Sequence, residues 1–272
     1  MLWFASLLAS SLDPLRVAFI GNSYTYFNDL PLAVSQLSAS AGLAVQTQQS
    51  TPGGSSLFGH ANLSTDTGKE TAALLAPGVA FDYVVLQDQS ETPGGGRDTD
   101  AHLALGAARA LSLAAMPAFF APRLAAANAT ALLYSTWGRR DPASEDPANA
   151  DVYPDFGTMA ALTTDGYERY GAALRSAGVS VRVAPVGRAY ELVYNESSAP
   201  LAPGSPFDLL YHTGAAGVGG HPSPLGTYLI ANVFFAVLSG KPPQQATWRP
   251  SGISAAQQQY LQDVAGLAVF PK

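Results

Sequence analysis

Five short strand-like runs, at residues 16–20, 43–48, 83–87, 130–136 and 179–185, alternate along this chain with longer stretches of helical spacing. That rhythm restricts the fold more than any other feature, because strands separated by helix-length crossovers pair in parallel and leave helices on both sheet faces. The first run, Arg16-Val17-Ala18-Phe19-Ile20, has no polar interruption and stops abruptly at Gly21-Asn22-Ser23, as a central strand buried on both faces does. Helices are predicted over residues 31–41, 69–75, 99–113, 117–127, 158–177 and 224–238, with a last one near 254–266. The expected architecture is α/β: a three-layer sandwich around a five-stranded parallel sheet. Right-handed crossovers then bring the carboxyl ends of all five strands to one edge, where distant segments share a site.

Composition narrows the partners. The 272 residues are enough for one large domain, read here as residues 13–272, and no Pro/Gly/Ser-rich linker divides them. A hydrophobic fraction of 47% with 12% charged residues suits a large core, and a net charge of −6 disfavours nucleic acid and anionic membrane. The ligand expected is therefore small or neutral. Cysteine is absent, which removes disulfides, thiolate nucleophiles and cysteine-ligated zinc.

Residues 1–12 are apolar and rich in Leu, Ala and Ser, near the length of a signal-peptide core but lacking a basic start; the other reading is a short apolar helix packed on the domain. Sequons stand at Asn62-Leu63-Ser64, Asn128-Ala129-Thr130 and Asn195-Glu196-Ser197. A secreted protein is the favoured reading and a cytoplasmic one the alternative. Elsewhere no run of about 18 consecutive apolar residues is found, so no integral membrane association is expected.

A serine at the end of a central strand is a candidate nucleophile once a base takes its proton. Ser23 stands there; the competing role, capping the next helix, suits Asn28 or Asp29 before Pro31 better. His221, in Gly219-Gly220-His221-Pro222-Ser223-Pro224, has the flexible setting of a catalytic base ahead of an apolar helix. His60, His102 and His212 read as core or surface rings with no companion ligand. For the oxyanion of a tetrahedral intermediate, Gly54 in Pro52-Gly53-Gly54-Ser55-Ser56 offers a closely approaching backbone amide, and Gln89 a side-chain amide. No metal or cofactor is expected: phosphate-cradling and dinucleotide glycine motifs are missing, as is a His-Glu-x-x-His pair. Asp98, Asp100, Asp141 and Glu145 read as caps and solvated loops.

Taken in order, Gly21-Asn22-Ser23, Gly53-Gly54, Gln87-Asp88-Gln89-Ser90 and His221-Pro222-Ser223 resemble the sequence blocks of the SGNH (GDSL-like) hydrolases, over about residues 16–238. Asn22 stands where that family usually has Asp, and Gln89 where it has Asn. The resemblance is closest to a branch with Leu-Gln-x-Gln-Ser in the third block and a Thr-Trp motif, here Thr136-Trp137-Gly138-Arg139-Arg140-Asp141. It implies a flavodoxin-like fold and a metal-independent serine esterase or deacetylase working through an acyl-enzyme, with Ser23, Gly54 and Gln89 as oxyanion donors. By that analogy the substrate is a small acyl ester, with acetyl on a carbohydrate favoured and a short-chain lipid ester the other option. Trp137, Arg139 and Arg140 are the expected sugar contacts, with structural packing of Trp137 the equal alternative.

One departure stands in the last block, where the family has an aspartate three residues before the histidine and this chain has Val218. Loss of the orienting acid lowers turnover in a serine protease by roughly four powers of ten. A backbone carbonyl near Val218 is the first replacement considered for the bond to the imidazole, and Asp208 the second. The third possibility is an impaired enzyme, a carbohydrate-binding descendant that no longer turns over.

Overall fold

The computed structural model describes residues 13–95, 103–213 and 220–271. The expected features at residues 1–12, His102 and Val218 lie outside them. Five strands form one parallel sheet: β1 (Leu15–Ile20), β2 (Val45–Ser50), β3 (Tyr83–Leu86), β4 (Thr130–Ser135) and β5 (Val181–Pro185), in the spatial order β2-β1-β3-β4-β5. The order of strand addition reverses at β1, with β2 laid down on one side and β3, β4 and β5 on the other. The crevice beyond the carboxyl end of β1 is the point where open α/β sheets bind ligands.

The central strands β1, β3 and β4 divide their side chains between two apolar layers, as period-two alternation requires. Val17 and Phe19 face the helices α2 (Leu30–Ser40), α9 (Val186–Glu196), α10 (Pro224–Ser239) and α11 (Ala255–Val269). Ala18 and Ile20 face α5 (Leu103–Ala115), α6 (Ala121–Ala127) and α8 (Phe156–Ser176). Shorter helices fill the connections: α1 (Ser23–Tyr26), α3 (Leu57–Ala61), α4 (Asp66–Leu74) and α7 (Pro142–Glu145). Helix α10 is apolar on every side because every residue from 226 to 238 is buried, enclosed by the sheet, α2 and α11.

Two expectations change. Helix α9 is unforeseen, although Val186, Ala189, Tyr190 and Val193 form a buried helical stripe; it follows β5 directly, with no loop to announce it. The absence of a membrane-length apolar helix is also corrected, since residues 106–127 are long and apolar enough by length and composition. They run on because a π-turn over Met116–Phe120 absorbs Pro117, which has no N–H, through a bond from Ala121 N to Met116 O. Met116, Phe119, Phe120 and Leu124 turn one face of this helix onto the core.

Helix α8 positions the loop that leaves β3. Gly166 lies against the Pro93 carbonyl, with no room for a Cβ. Gly166→Ala should therefore destabilise the fold by about 1–3 kcal/mol, read from urea denaturation; an unchanged midpoint would show that the loop does not press on this helix.

Candidate active site

The turn after β1 is shaped by its neighbours before any chemistry is considered. A Cβ at Gly21 would lie 2.5 Å from Gln87 Oε1 and 2.6 Å from Thr25 Oγ1, so only glycine fits. Gln87 Oε1 accepts from Asn22 N at 2.8 Å and from the Thr25 hydroxyl at 2.9 Å. Asn22 then does the capping: its Oδ1 accepts from Tyr24 N at 3.0 Å, and its Nδ2 donates to Ser55 O at 2.8 Å. Either an aspartate or an asparagine can cap, but only the amide can also donate to the carbonyl of the Gly53-Gly54 loop, which accounts for Asn22 in the first block.

Ser23 is thus released from capping. Its Oγ lies 2.8 Å from His221 Nε2, a contact spanning 198 residues. The imidazole is stacked on Phe27, with ring centroids 4.2 Å apart at 20°, and meets the edge of Tyr24 at 5.6 Å. Among the described residues, no bond is formed by the backbone N–H of Ser23 or by that of Gly54, where φ is +71° and the space around a Cβ is open. Gln89 Oε1 is fully engaged by Glu91 N (2.8 Å), Thr92 N (3.2 Å) and the Thr92 hydroxyl (3.3 Å). Its Nε2 makes only a long 3.4 Å contact to Ser90 Oγ, so the donor end of the amide keeps hydrogen-bonding capacity.

The two loops meant to carry those donors are tied together by a buried acid that the sequence reading did not single out. Asp88 accepts from Leu57 N, Gln89 N and the Tyr170 hydroxyl, each at 2.8 Å. Burial pushes its carboxyl up, and these donors work against that shift. Its position in Leu86-Gln87-Asp88-Gln89, directly after a buried strand, was the available signal.

No protein-family model matches the chain, and no curated protein matches it. Among solved structures, a candidate SGNH hydrolase from Slackia heliotrinireducens is 25% identical, with a TM-score of 0.58 over 83% of this chain and 100% of its own. The chain belongs to the SGNH-like hydrolase superfamily. Two further structures share the fold: a DUF4886 family protein from Bacteroides uniformis (17% identity, TM-score 0.67, 94% of this chain and 95% of the other) and a gut microbial diltiazem-metabolizing enzyme (13%, 0.52, 83% and 47%).

In this SGNH-like site, the assignment of Arg139 and Arg140 to substrate contact is corrected, and for Trp137 the packing alternative replaces sugar contact. Trp137 is fully buried, sandwiched between Tyr24 (4.5 Å) and Tyr190 (4.6 Å), both rings within 7° of parallel, so neither indole face is open to a sugar. Its Nε1 donates to Gly220 O at 3.1 Å, joining the turn that carries Ser23 to the segment that carries His221. Arg139 lies 3.3 Å from Glu91 and 3.8 Å from Asp146, and Arg140 3.0 Å from Asp208. Both are loop anchors. Asp208 is corrected with them: its second oxygen accepts from Gly204 N at 2.8 Å, so its carboxylate is spent on Arg140 and Gly204 rather than on His221.

His60 is a core ring, as read from the sequence, but it lies on α3 and braces the turn of Ser23. Its Nε2 lies 2.8 Å from Gly21 O, which can only accept, so Nε2 carries the proton and Nδ1 accepts from the Thr71 hydroxyl at 2.7 Å. Burial holds this ring below its ordinary value of 6.5. As the pH falls through that value the unfolded histidine takes up a proton and the folded one resists, so stability is lost on acidification. Glu91 and Glu145, raised by burial, act in the opposite sense but cancel between wild type and variant. The stability difference between wild type and His60→Gln should accordingly shrink from pH 7.5 to pH 5; a constant difference would contradict a neutral buried ring.

Proposed function

We propose that the protein is a serine ester hydrolase of the SGNH type. The observation that supports this most is the 2.8 Å contact between His221 Nε2 and Ser23 Oγ. As Oγ attacks the ester carbonyl carbon, Nε2 takes the hydroxyl proton, and the carbonyl oxygen becomes the oxyanion that the Ser23 amide, the Gly54 amide and Gln89 Nε2 would receive. The C–O bond to the alcohol breaks as the imidazolium returns its proton to the leaving oxygen. Water then attacks the acyl-enzyme by the same route, releasing the carboxylic acid and free Ser23.

For the substrate we favour a small acyl group, acetyl above all, carried on a carbohydrate. With Trp137 buried, the aromatic surface offered to a sugar is Tyr26, 43% exposed at the end of α1. Its hydroxyl lies 3.5 Å from the Cβ position of Gly53, beside the proposed oxyanion loop. An exposed ring there contributes little to the core and presents an apolar face with a polar tip.

A fluorophosphonate probe should attach to Ser23 and fail to attach in His221→Ala; folded wild type that stays unlabelled would favour the carbohydrate-binding reading. Tyr26→Ala should raise KM for an acetylated sugar by about tenfold, in keeping with a lost stacking contact of about 1–1.5 kcal/mol, while hydrolysis of p-nitrophenyl acetate changes little. Equal loss on both esters would remove Tyr26 from the sugar site.

A further inference from the structure

The segment leaving α1 contains an unusual backbone. Asn28 (φ 51°, ψ 24°) and Asp29 (φ 52°, ψ 58°) are consecutive non-glycine residues in the left-handed region. Among the described residues one other non-glycine residue has positive φ, Asn128, and it caps the end of α6, where that conformation is common. Asp29 caps the start of α2, a position that ordinarily takes an extended backbone, so its left-handed φ is not explained by capping. Consecutive residues held in a sparsely populated conformation persist only when surrounding contacts impose it, and such sites cluster where function needs a fixed geometry.

The contacts that impose it all lead to the base. Before the double kink, Phe27 is laid flat on the His221 ring. At the kink, Asn28 Nδ2 donates to Pro222 O at 3.0 Å and reaches the Thr227 hydroxyl at 2.9 Å, in the first turn of α10. The neighbouring carbonyls of the base segment are held as well: Gly220 O by Trp137 Nε1 at 3.1 Å, and His221 O by His212 N at 2.9 Å. All three carbonyls of Gly220-His221-Pro222 are therefore taken by N–H donors. Two come from side chains outside the segment, and of those Asn28 belongs to the stretch that carries Ser23. Asn28 is itself exposed and adds nothing to the apolar core.

We propose that Asn28 is a positioning residue for His221: its amide ties the nucleophile segment to the base segment and thereby sets the distance between Nε2 and Oγ. The proposal rests on the serine hydrolase reading above. It also accounts for an asparagine in a place where glycine would be less strained, because glycine has no amide to give.

Glycine accordingly supplies the test. Asn28→Gly relieves the positive φ and removes the amide, whereas Asn28→Asp keeps the shape and the tolerance of the left-handed region but cannot donate to Pro222 O. Melting temperature, the rate of Ser23 labelling by a fluorophosphonate, and kcat and KM for p-nitrophenyl acetate are measured on wild type and both variants. The expected result for Asn28→Gly is a melting temperature at or near that of wild type, labelling and kcat slower by about tenfold or more, and KM within about twofold. Asn28→Asp should show the same loss of rate. Labelling of either folded variant at the wild-type rate overturns the proposal. If both variants unfold, the amide serves the fold rather than the base, and the proposal fails in that way too. Wild type that is itself never labelled counts against the hydrolase reading, which separates that failure from failure of the clamp.

Discussion

The distance between Ser23 Oγ and His221 Nε2 depends on two loops that have no covalent reason to meet. The sheet does the coarse work: β1 ends at the crevice where strand order reverses, and α10 starts close enough that the residues before it reach over the same edge. A parallel sheet sets elements to within several ångströms, whereas proton transfer from a hydroxyl needs a hydrogen-bonding distance. The remaining precision comes from side chains that bridge the two segments. Trp137 stacks on the residue after Ser23 and bonds the carbonyl before His221, and Asn28 bonds the carbonyl after it.

Beneath this contact lies a layer of buried polar groups whose bonds run between loops rather than within them. Gln87 holds the backbone of Asn22, His60 holds the carbonyl of Gly21, and Asp88 holds the amides of Leu57 and Gln89. An unpaired polar group in that environment would cost more than the bond contributes, so each of these side chains penalises any loop position that breaks it. Among the described residues, the backbone donors of Ser23 and Gly54, in the loops after β1 and β2, are left without a partner in the fold.

The sheet was legible because burial on both faces leaves a direct mark on composition: the uninterrupted 16–20 run is β1 to within a residue. Strand β2 was read as starting at Leu43, yet Leu43 N bonds Ser38 O and its partly buried side chain packs against the apolar core, so the strand begins at Val45. Ser23 and His221 could be paired from their places at strand and helix ends. Trp137 stayed open between packing and sugar contact because an indole in a loop motif gives no sign of which faces are covered; its place right after a strand buried from Ala131 onward argued for burial. Nothing in Phe27-Asn28-Asp29 announces a double left-handed kink, since asparagine and aspartate tolerate that conformation without requiring it.

A crystal structure of the phosphonylated protein would show whether the loops after β1, β2 and β3 converge on one reacting centre, because the phosphonyl oxygen occupies the place of the oxyanion. The phosphorus is expected on Ser23 Oγ, with that oxygen within hydrogen-bonding distance of the Ser23 amide, the Gly54 amide and Gln89 Nε2, and with His221 Nε2 still beside Oγ. A phosphonyl oxygen turned away from all three donors, or a His221 ring displaced from Oγ while the fold is unchanged, would contradict it.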